Sequence, residues 1–187
     1  MRIVGGEHRG RKLFAPEGAS TRPTSEKVRE ALFDILGARI AGAAFGDLYA
    51  GTGAVGLEAL SRGASTCVFV EARGNAVGAL QRNIELLGVA ARSRVLAVDA
   101  SRAMDLLGKG DGVLDICFCD PPYADGSWPV LLASLGERRV VIPGGLLVVE
   151  HAIKTLPSCP AGMEQGRSYK YGDTGLVVFK KGDQVIG

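Results

Sequence analysis

Phe45-Gly46-Asp47-Leu48-Tyr49-Ala50-Gly51-Thr52-Gly53-Ala54-Val55-Gly56 is the stretch on which the fold turns. Phe45–Tyr49 is a short apolar run of strand length, and Val55–Arg62 beyond it reads as a helix. The glycines between them let the main chain pass close to a ligand. The helix start offers free N–H groups and a positive dipole end. A strand, a glycine turn and a helix in that order open a parallel sheet. The alternation continues downstream, with strands predicted at Thr66–Val70, Val95–Val98, Leu114–Cys119 and Leu146–Val149. Helices are predicted at Asn75–Leu87, Ser101–Leu107 and Trp128–Leu135. Strands that are nearly continuous apolar runs belong to a parallel sheet covered on both faces. Ser168–Tyr171 and Leu176–Lys180, around Gly172-Asp173, predict a hairpin that adds antiparallel edge strands. The fold class is α/β, open and doubly wound.

Upstream, Arg2-Ile3-Val4 and Arg11-Lys12-Leu13-Phe14 face each other across a glycine-rich link and predict a small two-stranded ribbon, with Pro16–Pro23 as loop. From Thr24 the period turns helical: Val28, Ala31, Leu32, Ile35 and Leu36 share a face, Thr24 or Ser25 is the N-cap and Gly37 the stop. The chain divides on this reading into a basic ribbon or arm, residues 1–23, and an α/β domain, residues 24–187.

The charge supports that division. Residues 1–29 hold seven Lys/Arg against three Glu, a local +4 in a chain whose net charge is +2. A basic arm on a near-neutral body suits a polyanion, although a solvated extension would carry the same charges. With 187 residues, 47% hydrophobic and 22% charged, the chain has the composition of one globular domain. No apolar run approaches the roughly 20 residues of a membrane helix, and Met1–Gly6 lack a signal-peptide core, so a cytoplasmic protein is expected. Cys67, Cys117 and Cys119 lie in apolar strand-like runs and Cys159 stands alone. With two distant histidines, His8 and His151, they suggest reduced thiols and no metal site.

In open α/β sheets, ligands bind beyond the carboxyl ends of the strands. Gly51, Gly53 and Gly56 satisfy the dinucleotide spacing G-x-G-x-x-G, which by itself cannot separate a nicotinamide enzyme from a methyltransferase. Glu71 ends the second strand, where a carboxylate accepts from ribose hydroxyls, and Asp99 ends the third, where it could accept from an adenine amine. Asp47, four residues before Gly51, suits an amino-acid ammonium better than a pyrophosphate, which it would repel. The fourth strand ends in Asp120-Pro121-Pro122-Tyr123, the most specific signal in the chain. Two prolines stiffen the turn and leave carbonyls free. The Asp120 side chain and the Pro121 carbonyl form an acceptor pair for an exocyclic –NH₂ group, and Tyr123 offers a ring for an extruded base.

These blocks, Asp47–Gly53 with Asp120–Tyr123, resemble the amino-group methyltransferases of the Rossmann-like S-adenosylmethionine superfamily. Arg2-Ile3-Val4-Gly5-Gly6, Gly10-Arg11-Lys12-Leu13, Thr21-Arg22-Pro23-Thr24, Arg29-Glu30-Ala31-Leu32-Phe33, Leu57–Ala64 and Tyr171-Gly172-Asp173-Thr174 narrow the resemblance to the RsmD family of bacterial small-subunit ribosomal RNA guanine-N2 methyltransferases. The likeness covers essentially the whole chain; Tyr49 stands where Phe is common in the family. It implies a seven-stranded sheet with a reversed last hairpin, S-adenosylmethionine as methyl donor, N2 of a guanine in 16S ribosomal RNA as acceptor, and a ribbon that grips RNA through Arg9, Arg11 and Lys12. On this resemblance Asp47, Tyr49, Ala50, Gly51, Thr52, Gly53, Glu71, Ala72, Asp99 and Ala100 hold the cofactor. Arg22 and Thr24 border its methionine end, and Asp120, Pro121, Pro122 and Tyr123 hold the base. The rivals are a DNA adenine-N6 methyltransferase, for which the chain offers no target-recognition region, a nicotinamide-dependent oxidoreductase, which leaves Asp120–Tyr123 unexplained, and a silent RNA-binding module. The role of 151–161 stays open.

Overall fold

A computed structural model of the chain describes residues 1–15, 25–107, 114–122 and 128–182. Two compact units emerge, Met1–Asp99 and Ala100–Gly187. Five α-helices and seven strands are described, with short 3-10 helices at Gly37–Ile40 and Ala90–Arg92: α1 Glu26–Leu36, β1 Ala44–Leu48, α2 Ala54–Ser61, β2 Thr66–Val70, α3 Gly74–Leu87, β3 Ser93–Leu96, α4 Ala100–Leu107, β4 Leu114–Cys119, α5 Trp128–Glu137, β5 Val141–Ala152, β6 Met163–Tyr171 and β7 Thr174–Lys181. The strands run in the order β3-β2-β1 in the first unit and β4-β5-β7-β6 in the second. This is the mixed α/β pairing expected from the alternation, mostly parallel and ending in the antiparallel hairpin.

In the first unit, β1 pairs parallel with β2 (Asp47 opposite Phe69), and β2 pairs parallel with β3 (Val70 opposite Leu96). Phe45, Leu48, Leu57, Leu60, Phe69 and Leu80 are fully buried and form the core between sheet and helices. Close approach of α2 to the sheet depends on Gly56, where a Cβ would meet the Phe69 ring and lie 2.6 Å from Cys67 Sγ. Ser25 is the N-cap of α1, its hydroxyl accepting from Val28 N–H at 3.2 Å, and Gly37 ends the helix with φ 53°.

The N-terminal ribbon forms. Arg2 bridges Lys12, and Ile3 N–H donates to the Arg11 carbonyl at 2.9 Å. It is moored to the end of α2: Glu7 N–H donates to the Ser61 carbonyl, His8 N–H to Ser61 Oγ, and Ser61 Oγ to the Gly5 carbonyl. Beneath it lies a buried charge cluster. Glu58 accepts from Arg29 Nε at 3.0 Å, from Val4 N–H at 3.2 Å and from Arg62 Nε at 2.9 Å. Arg29 Nη2 donates to the Arg2 carbonyl at 2.6 Å, and the Arg62 guanidinium lies 4.8 Å from the Phe33 ring centroid.

In the second unit β4 and β5 run parallel, β5 and β7 antiparallel, and β6 and β7 form the predicted hairpin, with Tyr171 opposite Thr174. Gly172, φ 64°, makes the two-residue turn that this pairing demands. Several boundaries differ from the sequence reading: β6 begins at Met163 rather than Ser168, β7 spans Thr174–Lys181 rather than Leu176–Lys180, and β1 and α2–α5 shift by one or two residues. β3 is Ser93–Leu96 rather than Val95–Val98, because it is an edge strand, partly exposed along its length, so burial does not mark its ends. β5 is much longer than Leu146–Val149: Leu114 faces Val141 and Ile116 faces Leu146, so two steps on β4 span five on β5. This irregularity absorbs Pro143-Gly144-Gly145, which reads as a breaker. The segment 151–161 begins inside β5, with His151 opposite Gly175. Among the described residues no helix is long and apolar enough to cross a membrane.

Candidate functional site

The link from β1 to α2 has the geometry that a close-approaching ligand requires. Tyr49 has φ 64°, the one positive value outside glycine among the described residues, and Gly51 and Gly53 follow with φ 57° and 83°. Strained main chain of this kind persists where the surroundings hold it. Ala50 N–H donates to the Val70 carbonyl at 2.9 Å and Gly53 N–H to the Ala50 carbonyl at 2.8 Å. The two glycines serve different ends. A Cβ on Gly53 would collide with Leu80, whereas a Cβ on Gly51 would meet nothing within 4 Å. Gly53 is small for packing; Gly51 borders open space.

Asp47 and Glu71 brace this loop. Asp47 is 2% exposed, and its Oδ2 accepts from Gly56 N–H at 2.8 Å, satisfying a donor of the first turn of α2. Glu71 lies directly after β2, and its Oε2 accepts from Gly51 N–H at 2.8 Å. Arg73 supplies the rest: its main-chain N–H and Nε each donate to Oε1 at 2.9 Å, and Nη2 donates to Oε2 at 3.2 Å. Burial pushes the Glu71 carboxyl up, but the hydrogen bonds from Arg73 and Gly51 and the Arg73 charge outweigh it and hold the group below its ordinary value. Glu71 is therefore a carboxylate at neutral pH, with its lone-pair directions filled chiefly by one half-exposed arginine. An ionised acceptor beside a loop that borders open space fits a hydroxyl-rich nucleoside.

Thr52 is partly exposed and its carbonyl accepts from Asn83 Nδ2 at 2.9 Å. Ala72 is exposed beside Glu71. Asp99 does not end β3 directly; it is exposed, three residues past Leu96, and Ala100 after it is the buried first residue of α4. The structure thus brings Asp47, Gly51, Thr52, Gly53 and Glu71 into one braced loop, with Asp99 on a separate link. In the second unit Asp120, partly buried, and the buried Pro121 follow β4 directly, and Pro122 is exposed. Arg22, Thr24 and Tyr123 lie outside the described residues. On the ribbon, Arg9, Arg11 and Lys12 are all exposed.

Sequence reading missed Arg73, Asn83 and Glu58. For two of them a signal existed. Asn83 falls on the same helical face as Leu80, Ile84 and Leu87, so a polar residue was bound for the core. Glu58 and Arg62 are spaced i,i+4.

Comparison with known proteins shows the family. The family described as Conserved hypothetical protein 95 matches residues 1–180. A proposed rRNA methyltransferase of Bacillus subtilis, YlbH, is 35% identical over 97% of this chain and 99% of its own length. Ribosomal RNA small subunit methyltransferase D of Escherichia coli is 34% identical over 97% of this chain and 90% of its own. A solved Escherichia coli structure, described as that of a proposed methyltransferase, yhhF, superposes with TM-score 0.85 at 31% identity, covering 98% of this chain and 99% of that one. The chain belongs to this family, the RsmD family that its motifs resemble.

Proposed function

We propose that the protein transfers a methyl group from S-adenosylmethionine to the exocyclic N2 amine of a guanine in small-subunit ribosomal RNA. The observation that carries the reading is the stiff Asp120-Pro121-Pro122 turn directly after β4, in a chain whose relatives are named as ribosomal RNA methyltransferases. When bound, the donor supplies a methyl group already activated on a sulfonium. The chain supplies placement. The Gly51 turn admits the donor, Asp47 holds that turn in shape through Gly56, and Glu71 accepts from the ribose hydroxyls, displacing the Arg73 guanidinium into solvent. Asp99 and Ala100, with Ala72 beside Glu71, border the adenine, and Tyr49, Ala50, Thr52 and Gly53 form the wall of the turn; Arg22 and Thr24 border the methionine end.

The Asp120 carboxylate and the Pro121 carbonyl accept the two N–H bonds of the amine, turning its lone pair out of conjugation, while Pro122 stiffens the turn and Tyr123 stacks on the base. Rate enhancement comes from positioning and from acceptors where positive charge develops on nitrogen. The amine loses its proton after transfer, so no strong base is required. Arg9, Arg11 and Lys12 contact phosphates. The target guanine is extruded from a loop or junction, since a stacked, paired amine cannot reach the donor. Residues 1–23 are proposed as the RNA arm and 24–187 as the methyltransferase domain.

Offered small-subunit particles, ribosomal RNA and genomic DNA from cells that lack the enzyme, the protein is expected to leave N2-methylguanine in RNA, read by mass spectrometry of nucleosides. N6-methyladenine in the DNA would overturn the substrate and favour the adenine rival. The donor site has its own test. Glu71→Ala is expected to weaken S-adenosylhomocysteine binding by about 1.5–3 kcal/mol, the scale for hydrogen bonds to a charged group. Unchanged calorimetric affinity in a folded variant would remove Glu71 from the ribose.

A further inference from the structure

The ribbon ends on an aromatic residue that the core does not use. Leu13 is buried, yet the next residue, Phe14, is 51% exposed. Its main chain is nonetheless fixed on both sides by one side chain. Phe14 N–H donates to Asn83 Oδ1 at 2.7 Å, and Asn83 Nδ2 donates back to the Phe14 carbonyl at 3.1 Å. The same Nδ2 donates to the Thr52 carbonyl in the glycine loop at 2.9 Å. Asn83 is 0% exposed. A buried amide, expensive to desolvate unless it is paired, is thus engaged wholly in tying the ribbon exit to the cofactor loop.

The result is an apolar ring presented to solvent on a main chain held at both its donor and its acceptor. Exposed cations lie just before it, Arg11 and Lys12, with Arg9 on the same ribbon. In an extended segment residues 12 and 14 fall on one side and Leu13 on the other, which matches the burial of Leu13 between two exposed neighbours. Cations beside a rigid ring are the means by which proteins hold single-stranded nucleic acid: charge follows the phosphates and the ring stacks on a base. Fixing the main chain that carries the ring removes part of the ordering cost of binding.

We propose that Phe14 is a stacking platform for an unpaired nucleobase of the RNA substrate, and that Asn83 is the positioning residue that sets this platform against the glycine loop. The proposal rests on the RNA reading above and adds to it a base contact outside the acceptor turn. Binding to a transcript of small-subunit ribosomal RNA, followed by fluorescence anisotropy, tests it. Phe14→Ala is expected to raise the dissociation constant by roughly 5- to 150-fold, the span that loss of one base–aromatic stack represents. Phe14→Trp is expected to retain tight binding, and both variants to bind S-adenosylhomocysteine as the parent chain does. A second variant, Arg11→Ala with Lys12→Ala, is expected to weaken binding and flatten its salt dependence, the log–log slope shrinking by ~0.7 for each single-strand phosphate that is no longer neutralised. If that pair weakens binding while Phe14→Ala binds as the parent does, or if Phe14→Trp binds as poorly as Phe14→Ala, the platform is overturned and the RNA reading stands. If the parent chain fails to bind the transcript, the RNA reading falls and takes the platform with it.

Discussion

Glu58→Ala is expected to destabilise the protein by about 3–5 kcal/mol, the cost of removing one partner from a buried ion pair. At about 2–4 °C per kcal/mol for a chain of this length, the melting temperature drops by roughly 6–20 °C. Glu58 and Arg29 are both 0% exposed, so water cannot replace the missing carboxylate. Arg29 has little to fall back on: Nη2 keeps the Arg2 carbonyl, and Nη1 has no hydrogen-bond partner among the described residues. The Val4 N–H and Arg62 Nε are deprived of their acceptors at the same time. Because Val4 belongs to the ribbon, the damage should concentrate there and expose Ile3 and Leu13. Hydrogen exchange in Glu58→Ala should therefore rise first in residues 1–13. Glu58→Gln keeps one acceptor oxygen and should fall between parent and Ala. The double variant Arg29→Met with Glu58→Leu should be more stable than either single one, since it removes both charges together. A melting temperature within 2 °C of the parent for Glu58→Ala would show that the cluster is not holding the ribbon.

That cluster marks where sequence reading stopped. β2 and β4 were legible to the residue, because their apolar runs are buried and end abruptly at Glu71 and Asp120. Glu71 stands out at the end of a buried strand, and the structure shows its carboxylate accepting from Gly51 and Arg73. Its partner Arg73 was not legible, since a guanidinium two residues away reads as an ordinary exposed cation. Asn83 and Glu58 carried a local helical signal, but none for their distant partners. Their partners lie 31 to 69 positions away for Asn83, and 29 and 54 away, toward the N-terminus, for two of those of Glu58. No local period encodes such pairs; only the fold brings them together. The ribbon shows the consequence. Its charge pointed to a polyanion, but charge alone could not separate a loose arm from a fixed one. The Ser61, Glu58 and Asn83 hydrogen bonds make it a fixed element.

Asp120→Ala is expected to lower the methyl-transfer rate by about 10²–10³-fold, the scale set by removing one preorganised group that meets developing charge. The argument begins with the strand. β4 is buried through Cys119, so the chain emerges at Asp120 in a direction fixed by the sheet, and Pro121 and Pro122 allow it little freedom afterward. An acceptor held this rigidly needs no reorganisation when charge appears on the amine, and alanine offers nothing in its place. Asp120→Asn keeps a carbonyl oxygen in the same position without the charge, so it should retain more activity than Asp120→Ala. Donor affinity should stay within a factor of about two in both, because the proposed donor contacts lie on the Gly51 turn and Glu71, and removing an interaction made only in the transition state lowers kcat without weakening ground-state binding. Tritium transfer and calorimetric titration with S-adenosylhomocysteine on the same preparations give both numbers. An Asp120→Ala protein active within a factor of about three would make the turn structural. One that loses activity and donor affinity together would place Asp120 in the donor site, not with the acceptor amine.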